Sequence, residues 1–79
     1  MSPGIGLMKR RLETEESAKS LAISGIIKKF KVKPNEIECL ETKYDNDSGD
    51  WYVAWGWKGK KAVIRMDSVQ AVILEINEI

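Results

Sequence analysis

The fold is decided by one stretch of the chain, WYVAWGWKGKKAVIRM at residues 51–66. Large apolar residues occupy every second position of its first half: Trp51, Val53, Trp55 and Trp57. Because side chains alternate between the two faces of a strand, this spacing predicts a strand with one strongly apolar face. Lys58-Gly59-Lys60 predicts a tight hairpin turn, and residues 62–66 then predict the returning antiparallel strand.

A helix is predicted before this hairpin, from about Thr14 to Lys31. Threonine is a favoured N-cap residue, and the two glutamates that follow Thr14 suit the positive end of the helix dipole. Pro34 biases Lys33 away from helical geometry and so ends the element. Apolar or small residues recur along it at steps of three and four: Ala18, Leu21, Ala22, Gly25, Ile26 and Phe30.

Two further strands are predicted at residues 37–44 and 72–76, and the short connections favour a meander. The expected fold is therefore α+β, with one N-terminal helix packed on a four-stranded antiparallel sheet. Residues 1–13 are expected to be a flexible basic tail, and residues 14–79 a single domain. The expected core consists of Leu21, Ile26, Phe30, Val53, Trp55, Ile64 and Met66. In the last strand, alternation adds Val72, Leu74 and Ile76 to it.

Composition narrows the class of protein. A chain of 79 residues with 43% hydrophobic and 32% charged residues is expected to form one small soluble domain. No apolar run approaches the roughly 18 residues that a membrane span requires, and the start lacks the pattern of a secretory signal. We therefore expect a cytoplasmic protein, or a domain excised from a larger one.

Catalytic and metal chemistry have little support in the sequence. There is no histidine, and the single cysteine, Cys39, has neither a disulfide partner nor an ordinary base to activate it. The Asp45–Asp50 loop resembles the start of a calcium loop, but Gly56 stands where an EF-hand needs a bidentate glutamate. We expect a plain hairpin loop there, no cofactor and no enzymatic activity in this domain by itself.

The tryptophans admit two interpretations. In the favoured one, Trp55 faces the helix while Trp51 and Trp57 close the ends of the core. In the alternative, the sheet binds nucleic acid, with bases stacked on Trp51 and Trp57 over a cationic floor. That floor would consist of Lys58, Lys60, Lys61 and Arg65.

The sheet face away from the helix is the expected contact surface, because one helix cannot cover both faces. Alternation places Tyr52, Ala54 and Val63 on it, with Arg65 beside them, and either Leu40 or Cys39 should join them. An exposed apolar patch on so small a domain usually marks an interface. A second copy of the chain is the simplest partner, since two-fold dimers are the commonest oligomers.

Three segments of the chain also resemble the PepSY domain family. They are IIKKF at residues 26–30, WYVAW at residues 51–55, and VIRMDS at residues 63–68 followed by Ile73-Leu74. The family pattern has a strand ending in Val-Asp-Ala-x-Thr-Gly-x-Val-Leu, and Gln70 and Ala71 stand here in place of its Thr-Gly pair. The pattern favours Ile73 as the inward residue, but we follow alternation because three apolar positions outweigh one.

This resemblance implies a non-catalytic module that inhibits or regulates peptidases. Asp67, the matching polar residue, is expected to order its turn by accepting backbone N–H bonds. The leading hypothesis is therefore a PepSY-like module that binds a protein or peptide and regulates a peptidase. A nucleic-acid-binding sheet and a structural homodimer remain the alternatives.

Overall fold

A single helix, α1, runs from Glu15 to Phe30 in the computed structural model, which describes residues 11–79. Thr14 caps its start, since its hydroxyl accepts a 3.1 Å hydrogen bond from the backbone N–H of Ser17. Lys31 ends it in the left-handed conformation, with φ of 57°, and donates its N–H to the carbonyl of Ile27. The predicted helix is confirmed to within one residue at each end.

Four antiparallel strands follow, in the sheet order β1-β2-β3-β4. They are β1 (Glu38–Asp45), β2 (Asp50–Trp57), β3 (Lys60–Asp67) and β4 (Val72–Glu78). A short 3-10 turn, Pro34–Glu36, leads from α1 into β1. The predicted α+β class and the meander are confirmed.

The hairpin between β2 and β3 closes with Lys58 and Gly59, both at positive φ, 47° and 76° respectively. Two left-handed residues in a two-residue loop are typical of the turn that matches the right-handed twist of a hairpin. The tight turn predicted from Lys58-Gly59-Lys60 is thus present.

The core lies between α1 and one face of the sheet, which we call the inner face. The helix contributes Ala18, Ala22 and Ile26, and the sheet contributes Trp51, Val53, Trp55, Trp57, Ala62, Ile64 and Met66. Leu21 and Phe30, which were expected in the core, are only partly buried and pack against its margin. At Gly25 an added Cβ would lie 2.5 Å from Ile73 Cδ1, so this glycine lets the helix approach β4 closely.

The predicted orientation of β4 is wrong for two residues, because the strand carries a bulge. Met66 pairs with Ile73 and Arg65 pairs with Glu75, so Leu74 is an extra residue in the ladder. Strict alternation breaks at that point. Ile73 and Ile76 therefore pack against the core, whereas Val72 and Leu74 are 41% and 44% exposed.

The predicted boundary of the N-terminal tail also needs correction. Leu12 is only 5% exposed and belongs to the core. The backbone N–H groups of Arg11 and Leu12 donate to the carbonyl of Ser68 at 2.9 and 3.0 Å. The domain thus includes Arg11 and Leu12, and residues 1–10 of the predicted tail lie outside the described part of the chain.

Among residues 11–79, no helix combines the length and the apolar character needed to cross a bilayer.

Candidate functional site

The second face of the sheet, which we call the outer face, is turned away from α1. Directly opposite residues of an antiparallel pair share a face, and the register places Tyr52 between Lys43 and Arg65. Ala54 lies in the same way between Glu41 and Val63. The four residues predicted for this surface, Tyr52, Ala54, Val63 and Arg65, are therefore brought together on one face.

A shallow groove of about 330 Å³ lies at the centre of the outer face. Its lining consists of Glu41, Lys43, Asp45, Tyr52, Ala54 and Val63. The small side chain of Ala54 forms the floor, because its neighbours Tyr52 and Val63 are larger. The groove is thus apolar in the middle and charged along its β1 side.

Sequence reasoning did not find the β1 residues of this groove, because β1 also carries a bulge. Cys39 pairs with Trp55 and Glu41 with Ala54, which leaves Leu40 as the extra residue. The Leu40 side chain lies 3.2 Å from where a Cβ on Gly56 would be, and it is 46% exposed. Leu40, and not Cys39, therefore joins the outer face.

The outer face carries more acidic than basic side chains. From the pairing register its acidic residues are Glu38, Glu41, Asp45, Asp50, Asp67 and Glu75, and its basic residues are Lys43, Lys61 and Arg65. Arg65 is already engaged, with Nε 3.5 Å from Asp50 Oδ2 and Nη1 3.7 Å from Glu75 Oε1. The apolar centre is thus framed by net negative charge.

The two tryptophans of the nucleic-acid alternative lie on the inner face. Trp51 and Trp57 are 8% and 5% exposed. The ring of Trp57 lies 4.9 Å from that of Phe30, and the ring of Trp51 lies 5.0 Å from that of Tyr44. This burial is what the favoured interpretation of the tryptophans requires, and it removes both rings from the surface that holds Tyr52 and Val63.

The lysines of that alternative form a separate group around the β2–β3 turn. Lys58, Lys60 and Lys61 are exposed and line a second depression, of about 290 Å³, together with Glu36 and Glu38. The ammonium of Lys58 lies 3.4 Å from a carboxylate oxygen of Glu36. The cationic floor is therefore interrupted by acids and has no exposed tryptophan above it.

The turn after β3 is ordered by Asp67, as predicted. Its carboxylate accepts the N–H groups of Val69 and Gln70 at 3.3 and 3.2 Å. The next residue, Ser68, is fully buried and donates its hydroxyl to the Gly49 carbonyl at 2.6 Å. Ala71 then takes the left-handed conformation, with φ of 57°. Ser68 thus connects three places: it directly follows β3, bonds Gly49 just before β2, and accepts the N–H groups of Arg11 and Leu12 through its carbonyl. This role was not predicted from the sequence.

Two titratable groups away from the outer face have identifiable side-chain contacts. Cys39 is partly buried, with its Sγ 3.5 Å from the Thr42 hydroxyl. The pKa of Lys19 is raised by its hydrogen bond to Glu15, but this pair lies on the exposed surface of α1. Within residues 11–79, no group of three or more potential ligand side chains is placed to hold a metal ion.

Comparison of the chain with protein-family models, with curated proteins and with solved structures finds no significant match.

Proposed function

We propose that this domain is a non-catalytic interaction module that binds a protein or peptide through the outer face of its sheet. The observation that carries the proposal is the groove over Ala54, walled by Tyr52 and Val63. Helix α1 packs on the inner face, and within residues 11–79 no other element covers the groove. Apolar surface of this kind on a small domain commonly serves as a contact site.

The PepSY-like character of the module is part of the same proposal, and two features of the turn after β3 support it. Asp67 orders the turn by accepting two backbone N–H bonds. Ala71, which stands where the family pattern has glycine, adopts the left-handed conformation that glycine favours. The partner class that this resemblance implies is a peptidase, which the module would regulate by binding.

Nucleic acid is less well supported as a partner. Stacking requires exposed aromatic rings, and Trp51 and Trp57 lie in the core. Phosphates are attracted by cations, whereas the outer face has an excess of carboxylates.

The test of the proposal is a Val63→Lys substitution, which places a charge in the wall of the groove without entering the core. We expect this variant to remain folded and to lose at least about tenfold in affinity for a partner that uses the outer face. Val69→Lys is the matched control, because Val69 is exposed in the β3–β4 turn. The probe is a thermolysin-type peptidase, with binding and inhibition measured for the parent and both variants.

Sedimentation of the parent completes the experiment by testing for self-association. If the parent is a monomer and Val63→Lys binds every identified partner as the parent does, the outer face is not the contact surface.

A further inference from the structure

The charges around the groove indicate what kind of partner suits the outer face. Six acidic residues and only three basic ones lie on it, and the carboxylates of Glu38 and Glu41 stand along the β1 side. Both glutamates are exposed. A partner that covers this face therefore gains by bringing positive charge to its edges and apolar side chains to its centre.

A second copy of the chain does not meet this requirement. Two-fold packing of the outer face on itself would bring two net acidic surfaces together, and like charges placed opposite each other are unfavourable.

A helix is the element that fits the face best. Inside the sheet the strands already satisfy one another's backbone hydrogen bonds, so an extended segment gains no ladder by lying on the face. Sheet faces are instead covered by side chains from helices or from a second sheet. A helix about 10 Å wide and about 18 residues long matches the length of the strands.

Resting on the proposed function, we propose that the outer face binds a basic amphipathic helix of a partner protein. Apolar residues of that helix, at i, i+3, i+4 and i+7, would contact Tyr52, Ala54 and Val63. Lysines or arginines on its flanks would lie near Glu38 and Glu41 on one side.

The proposal is tested with two synthetic peptides of about 18 residues. They share one leucine stripe at helical spacing and differ only in their flanks, which carry lysine in the first peptide and glutamate in the second. Titration into the full chain is followed by fluorescence anisotropy of a label on the peptide and by amide chemical shifts. We expect the lysine peptide to bind at least about tenfold more tightly than the glutamate peptide, with chemical-shift changes confined to the outer face. Its affinity should fall as salt screens the charges.

Two double variants identify the carboxylates that matter. The Glu38→Lys/Glu41→Lys variant should bind the lysine peptide about tenfold or more weakly than the parent does. The control Glu16→Lys/Asp47→Lys changes the net charge equally, at exposed positions on α1 and on the β1–β2 loop, and should leave the affinity within about twofold. Equal losses in both would show that only overall charge matters and would overturn the proposal.

The outcomes separate this inference from the proposed function. If both peptides bind equally and Val63→Lys removes both, the outer face binds helices without selecting charge, and only the inference fails. Self-association that Val63→Lys removes would make the second copy the occupant, which also overturns the inference. If neither peptide binds, the inference is wrong. If a peptide binds but its affinity is unchanged by Val63→Lys and by the glutamate substitutions, both the inference and the proposed function are wrong.

Discussion

The indole nitrogen of Trp51 donates a 2.9 Å hydrogen bond to the backbone carbonyl of Leu12, a residue 39 positions earlier in the chain. The bond is buried, and Leu12 packs into the core beside it. Ser68 holds the same segment from the other side, because its carbonyl accepts the N–H groups of Arg11 and Leu12. The segment at Arg11 and Leu12 is therefore fixed by β2 and by the end of β3.

This bond predicts different costs for two tryptophan substitutions that remove the same volume. Trp51→Phe loses a buried hydrogen bond and leaves the Leu12 carbonyl without it, so it should cost about 1–3 kcal/mol beyond the change in packing. Trp55→Phe removes a buried Nε1 that has no acceptor among residues 11–79, and it should be clearly less costly. Urea unfolding of both variants measures the difference, and equal costs would show that the Trp51–Leu12 bond contributes nothing.

Ala71 is held at φ of 57°, where its Cβ is strained. We expect Ala71→Gly to raise the free energy of unfolding by about 0.5–1 kcal/mol, because glycine adopts this conformation without that strain. The lost methyl group, which packs against the core, offsets part of the gain. Thermal and urea unfolding provide the measurement. Ala54→Gly, in the middle of β2, is the control and should be destabilising, and a loss of stability in Ala71→Gly would contradict the argument.

The bulge at Leu74 predicts opposite behaviour for neighbouring residues of β4. Ile73 packs against the core next to Gly25, so Ile73→Ala should cost about 2–4 kcal/mol. Val72 is 41% exposed, and Val72→Ala should cost less than about 1 kcal/mol. Equilibrium unfolding of the two variants decides the matter. If Val72→Ala cost more than Ile73→Ala, the strand would follow the simple alternation expected from the sequence, and the bulge assigned at Leu74 would be wrong.

Cys39 is predicted to have a structural role only. Its thiol is partly buried, with Sγ 3.5 Å from the Thr42 hydroxyl. The sequence has no histidine that could act as its base. Cys39→Ser should therefore leave partner binding within about twofold of the parent, with a stability loss of about 1 kcal/mol. Affinity and unfolding are measured on the same preparation. A folded Cys39→Ser variant that no longer binds would reveal a function for the thiol.

Much of the fold could be predicted because local signals agreed with one another. Alternation from Trp51 to Trp57 identified β2 and its inner face, and Lys58-Gly59 identified the turn that follows. Thr14 and Pro34 marked the limits of the helix region. The outer positions Tyr52, Ala54, Val63 and Arg65 followed from the same alternation, because β2 and β3 pair with each other without irregularity.

The errors in the edge strands arose where pairing departs from period two. The bulges at Leu40 and Leu74 each insert one residue into an edge strand, so the residues on the two sides of each bulge do not follow one common alternation. Neither insertion has a glycine or proline to mark it. For this reason alternation could not give the outer-face positions of Glu41 and Lys43 or the inward position of Ile73, although the PepSY-like pattern favoured Ile73.

By itself, the sequence determined the elements, their order and the faces of the central hairpin, because propensity, capping, turn chemistry and periodicity are properties of neighbouring residues. Tertiary structure decided the rest: the burial of Leu12 against Trp51, the position of Ser68 between Gly49 and the N-terminal segment, and the charged frame around the groove. These features depend on residues far apart in the chain. Strand register assembles the charged frame, whereas packing of the N-terminal segment on the sheet brings Leu12 to Trp51. Register is a property of paired strands, and the residue pattern along one strand does not contain it.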